Sequence, residues 1–88
     1  MNIKKVTIFG MNLDEVLHKS CIAHFGIGDD WATLYDIESA DQGKGHATEL
    51  VKMAKEYYTS NGKKFGSTPA LSVAMKKILI KLDVPEYT

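Results

Sequence analysis

The stretch Gln42-Gly43-Lys44-Gly45-His46-Ala47 combines residue types and spacing that could do chemistry. Glycines at alternate positions let a backbone come close to a ligand. If a helix follows, such a turn aims several free N–H groups and the positive end of the helix dipole at one point. That arrangement holds an anion such as a diphosphate. A P-loop requires Gly-x4-Gly-Lys-Ser/Thr, and no segment fits it. A dinucleotide fingerprint requires Gly-x-Gly-x-x-Gly, but Thr48 stands where the third glycine belongs, and no acidic residue lies about 20 positions further on. With both nucleotide motifs excluded, the turn keeps the general capacity to hold an anion.

Other reactive residues are scattered. His18, Cys21 and His24 lie three apart on a segment that reads as helical. At about 100° per residue the two histidines point about 120° apart, so one ion cannot join all three, and no metal is expected. Cys21 falls on the apolar stripe of that segment and reads as a small core residue. Asp29 and Asp30 are carboxylates able to act as a base directly or through water, and Glu38 lies nearer the turn.

These groups need elements to position them. Residues 3–9 read as a strand ended by Gly10. Asn12 with Glu15 forms a capping box, and Leu13, Val16, Leu17, Cys21 and Phe25 follow the helical period, which predicts a helix from Asn12 to Phe25. Trp31 to Glu38 reads as a strand, Ser39 to Gly45 as a turn, and 45–60 as a helix whose buried stripe includes Ala47, Leu50, Val51 and Ala54. Lys63 to Ser67 reads as a short strand. Thr68-Pro69 reads as the cap of a third helix over 69–82, and Val84 to Thr88 as an edge strand or tail. The order is β-α-β-α-β-α. It implies parallel pairing in an open sheet and predicts one α/β domain over 1–88, a small mixed sheet of three to five strands with helices on both faces.

Composition narrows the classes. The chain has 88 residues, 44% hydrophobic and 25% charged, with eleven Lys and Arg against eleven Asp and Glu. Zero net charge argues against a nucleic-acid-coating protein. Its one cysteine excludes an internal disulfide framework and suits a cytoplasmic protein. No stretch approaches the roughly 18–20 apolar residues of a membrane span, and the N-terminus lacks a signal-peptide core. Unpaired edges on so small a sheet predict a homodimer.

Ile37 to Leu50 resembles the central motif of the GNAT superfamily of N-acetyltransferases, Gln/Arg-x-x-Gly-x-Gly/Ala. Gln42, Gly45 and Ala47 stand at its fixed positions, with an aliphatic residue, Ile37, five places before the glutamine. Lys63-Lys64-Phe65, helix 69–82 and Leu82-Asp83-Val84 resemble the family's last segment, so the likeness spans residues 31–87. It implies acetyl-CoA as cofactor, held in a gap between splayed middle strands. The pantetheine arm would lie along Ile37, Glu38 and Ser39. The N–H groups from Gly43 through Lys44, Gly45 and His46 to Ala47 would hold the diphosphate, Gln42 and Thr48 would also belong to the cofactor site, and one of Lys76, Lys77 and Lys81 could meet the 3′-phosphate.

The resemblance further implies direct attack of an amine on the thioester, with acetyl passing to a protein lysine, an N-terminus or a small amine. Asp30 and Glu38 are the candidate bases. Aligning the C-terminal segment puts Ser72 at the family's Asn position and Leu79 at the position of the Tyr that protonates the leaving thiolate. Leu79 cannot donate a proton, which leaves Tyr35, Tyr57, Tyr58 and Tyr87 as candidates, with Tyr35 on the central strand. The half that usually builds the acceptor pocket is short. The alternative is therefore a catalytically inactive module that binds CoA or a protein partner.

Overall fold

The computed structural model describes residues 1–41, 43–70 and 72–87. Its elements are β1 (Asn2–Ile8), β2 (Met11–His18), β3 (Cys21–Ile27), β4 (Trp31–Ser39), α1 (His46–Ser60), β5 (Lys64–Ser67) and α2 (Val73–Lys81). The sheet has the order β1-β2-β3-β4-β5. The first four strands form an antiparallel meander, and β5 joins β4 in parallel after the crossover through α1. The chain returns beside β5 at a single parallel bridge, Ser67 to Glu86.

This corrects the expected β-α-β-α-β-α order, with its parallel pairing and helices on both faces: of the strand pairs, only β4–β5 is parallel. The segment predicted as a helix from Asn12 to Phe25 is the β2–β3 hairpin, turning at Lys19-Ser20. Side chains alternate across a strand, so Asp14 and Val16 on β2 and Cys21, Ala23 and Phe25 on β3 share one buried face. Asn12 caps no helix; its Oδ1 accepts from Thr7 Oγ1 across the β1–β2 turn. Phe9 and Gly10 both take positive φ there, as a two-residue type I′ hairpin requires.

Both helices pack on the same sheet face. Leu50, Val51, Ala54 and Tyr58 of α1 and Met75 and Leu79 of α2 join Val16, Ala23, Phe25, Leu34 and Phe65 in one buried cluster. The opposite face carries no helix among the described residues. Helix α2 starts later than predicted. Ser72, not Thr68, is its N-cap and accepts from Met75 N–H at 3.1 Å. Leu71, expected on its buried stripe, lies outside the described residues.

One polar pair sits inside this core. Asp14 is buried and accepts from Tyr58 O–H at 2.8 Å and Lys5 Nζ at 3.2 Å. Burial, then the hydrogen bond to Asp14, holds the Tyr58 phenol far above its ordinary value. Replacing Tyr58 by Phe keeps the ring contacts with Phe25 and Phe65 but leaves a buried carboxylate oxygen short of a donor. Thermal unfolding of Tyr58→Phe is expected to show a loss of about 1–3 kcal/mol, roughly 4–8 °C in Tm per kcal/mol for a domain of this size.

Candidate functional site

Strand β4 is paired on both sides only over its first half. Its parallel ladder with β5 runs from Trp31–Lys64 to Leu34–Ser67 and stops there. Thr68 ends it: its N–H and its Oγ1 donate to the Leu34 carbonyl at 2.9 and 3.2 Å. Pro69, which has no N–H, follows. Strand β4 meanwhile continues to Ser39 against β3 alone.

A bulge lies where the two strands part. Asp36 is opposite His24 and Leu34 is opposite Phe25, so Tyr35 is the extra residue. A bulge bends its strand and increases the local twist. Ala40 N–H donates to Ser20 on the β3 side. Alternation then turns the main-chain groups of Ile37 and Ser39 to the other edge, the one β5 has left free.

The free edge leads into the glycine turn. Gly43 and Gly45 take φ of 85° and 77°, the left-handed region that favours glycine. Gly45 is the N-cap of α1 with no side-chain cap, and the first helical bond runs from Glu49 N–H to the Gly45 carbonyl at 3.0 Å. The N–H groups of His46, Ala47 and Thr48 precede that bond and so have no partner within the helix. The acidic residue of this first turn, Glu49, is drawn aside. Hydrogen bonds from Lys19 and then His18 lower its pKa below the ordinary 4.5.

These parts enclose a cleft of 590 Å³ between the end of β4, the turn, and the starts of α1 and α2. Of the residues singled out from the sequence, Tyr35, Ile37 and Ser39 line it from β4. Gly43, Gly45, His46, Ala47 and Thr48 line it from the turn and α1, and Ser72 lines it from the start of α2. Gln42 lies outside the described residues. Glu38 and Lys44 are exposed and do not line the cleft. Asp30 stands at the opposite end of β4, where its carbonyl accepts from Lys64 N–H.

Sequence reasoning did not find Asp36, Asp41, Ala74, Met75 and Ile78, which also line the cleft, and it left Lys77 undistinguished from Lys76 and Lys81. Alternation along β4 puts Asp36 on the face opposite Ile37 and Ser39, so the strand pattern gave no signal for it. The lining residues of α2 could not be sorted without knowing where that helix starts. The Ser39 hydroxyl is buried without a hydrogen-bond partner among the described residues. His46 Nδ1 is 3.4 Å from Ser20 Oγ, which ties the helix start to the β2–β3 turn. Tyr35 also reaches the helix-free sheet face: its ring occupies the space a Cβ on Gly26 would need.

That face carries a row of charges in cross-strand register. Lys4 is 3.5 Å from Glu15, whose other carboxylate oxygen is 3.0 Å from His24 Nε2, and His24 Nδ1 is 2.7 Å from Asp36. Burial of the ring opposes protonation of His24. Hydrogen bonds to Asp36 and Glu15 outweigh it and raise the pKa above the ordinary 6.5. The hydrogen bond from His24, joined by Lys4 and opposed by burial, lowers Glu15 below its ordinary 4.5. His18, Cys21 and His24 are separated: His18 reaches Glu49, Cys21 is in the core, and His24 is on the other face. Among the described residues no group of three or more His, Cys, Asp or Glu could hold a metal ion, and no helix is long and apolar enough to cross a membrane.

Comparison with protein-family models, with curated proteins and with solved structures gives no match to this chain.

Two stability predictions follow from this geometry. A Cβ at Gly45 would meet open space, so Gly45→Ala carries only the left-handed backbone cost, about 1–2 kcal/mol by chemical denaturation. The raised His24 pKa contributes stability that is full below 6.5 and lost as pH rises through its folded value. The lowered Glu15 pKa contributes stability that is full above 4.5 and lost as pH falls through its folded value. Tm is therefore expected to be highest between these limits. A pH series on His24→Gln should show a smaller decline on the alkaline side.

Proposed function

We propose that the cleft binds acetyl-CoA and that the protein transfers the acetyl group to an amine. The observation that carries this reading is a strand edge unpaired among the described residues, together with a helix N-terminus that has no side-chain cap, at one cleft. Ligands with an extended amide arm ending in a diphosphate match that sequence of groups. The pantetheine amides would add to the edge at Ile37 and Ser39 as a further strand. The diphosphate would take the N–H groups between Gly43 and Thr48, and Lys77 adds a positive charge on the facing helix. The volume falls within the roughly 300–1,000 Å³ usual for ligand sites.

The chemistry asked of the protein is modest. The amine attacks the thioester carbonyl, and a main-chain N–H of β4 stabilises the oxyanion. The C–S bond then breaks and the thiolate takes up a proton. Leu79, at the position aligned with a proton-donating Tyr, is buried in the core. In this reading the thiolate therefore draws its proton from the tetrahedral ammonium, directly or through water. The same observation favours the second reading, a module that binds CoA without turnover. The proposal also takes the protein as cytoplasmic and as a homodimer, given a single cysteine and an unpaired edge at β1.

Calorimetry with acetyl-CoA is expected to give one site per chain, and Gly45→Glu should weaken it at least about tenfold, or 1.4 kcal/mol. No binding at high micromolar ligand, or unchanged affinity in the variant, contradicts the reading. Thiol release with lysine-peptide and polyamine acceptors separates transferase from binding module.

A further inference from the structure

The row Glu15–His24–Asp36 has a feature that a simple surface ion pair lacks. Both ring nitrogens of His24 face carboxylates, at 3.0 Å on Nε2 and 2.7 Å on Nδ1. A neutral imidazole offers only one N–H, so this arrangement fits the imidazolium, which donates twice. The His24 side chain is only 15% exposed and Asp36 is 57% exposed, so the row has a sheltered middle and one open end. Asp36, the residue before Ile37, is also among those lining the cleft, so the row meets the cleft at this position of β4.

We propose that Asp36 takes the ammonium proton of a cationic primary amine acceptor and passes it to His24, which Glu15 holds in place. The inference rests on the acetyl-transfer reading of the cleft. In the receptive state His24 is neutral, with its Nε2–H donated to Glu15 and its Nδ1 lone pair toward Asp36. An N–H bond of the ammonium breaks, the proton moves to an Asp36 oxygen and on to Nδ1, and the free amine keeps the electron pair with which it attacks. The product is the doubly hydrogen-bonded imidazolium that the row stabilises. It returns the proton to solvent through the exposed Asp36. The amine's second proton leaves with the thiolate, so one acetyl-CoA and one ammonium give one amide, one thiol and one proton.

Asp36 is the catalytic residue here, because it touches the amine; His24 and Glu15 are positioning residues. The charged and titratable groups on this face around His24 are Lys4 from β1, Glu15 from β2, and Tyr35, Asp36 and Glu38 from β4. Both helices pack on the other face.

The test needs neither turnover nor acetyl-CoA. The His24 ring is titrated by NMR with and without spermidine as the cationic probe. A cation seated on Asp36 competes with the imidazolium, so spermidine should lower the midpoint by about half a unit or more in the wild type and leave it unmoved in Asp36→Asn. An unmoved wild-type midpoint, or an equal shift in the variant, overturns the proposal even if acetyl-CoA binds. For turnover, the rate should rise with pH along a limb set by His24. Glu15→Gln, which removes one stabilising carboxylate, should move that limb to lower pH. An unshifted limb in a folded Glu15→Gln also overturns it. Absence of acetyl-CoA binding with the spermidine shift intact would count against the cofactor reading alone.

Discussion

The structure turns on how β4 parts from β5. Two parallel strands that begin in register at Trp31–Lys64 stop pairing after Leu34–Ser67. The bulge at Tyr35 twists one strand away, and Thr68 and Pro69 steer the other. Main-chain N–H and C=O groups are costly to leave unpaired away from water. A strand that keeps its free edge beside a helix N-terminus without a side-chain cap therefore presents two kinds of main-chain hydrogen-bonding capacity to the same space. The cleft is the volume between them.

The rest of the fold holds that separation open. The cluster formed by α1, α2 and the inner sheet face fixes where each helix starts relative to β4. Leu50, Val51, Ala54 and Tyr58 anchor α1, and the Tyr58–Asp14 bond ties it down to β2. On the far end, Lys55 Nζ donates to the Leu82 carbonyl at 2.7 Å, which joins α1 to the end of α2. Lys19 and His18 move the one acidic side chain of the first turn of α1 away from where an anion would sit. The helix-free face carries the charge row, so the two sides of the sheet divide into a packed core and a polar surface that meets the cleft at Asp36.

The elements around the cleft were legible in the sequence because their signals were local. The Trp31–Glu38 strand pattern, the glycines at 43 and 45, and the stripe from Ala47 to Ala54 each mark structure within a few residues, and β4 and α1 lie within a residue or so of the expected bounds. The N-terminal half was not legible. Leu13, Val16, Leu17, Cys21 and Phe25 happen to fall at helical spacing, while a buried polar residue, Asp14, interrupts the apolar alternation of β2. The Lys19-Ser20 turn has none of the Asn-Gly chemistry that announces a hairpin; Lys19 adopts φ of 54° at a cost tertiary pairing must offset. Glu15, read as part of a capping box, instead pairs across strands with His24. The role of Asp36 was hidden for the same reason: its partner lies on a strand that the helical reading removed. Ser72 as the cap of α2 was masked by the more conspicuous Thr68-Pro69.

The central claim is that the free edge of β4 and the turn after it bind one ligand through main-chain groups. Amide hydrogen exchange with and without acetyl-CoA tests it directly. The account predicts slowed exchange at Ile37 and Ser39 and through the segment from Gly43 to Thr48, with β1 unchanged. Unchanged exchange along those residues in the presence of saturating ligand, or protection confined to another part of the sheet, would contradict it.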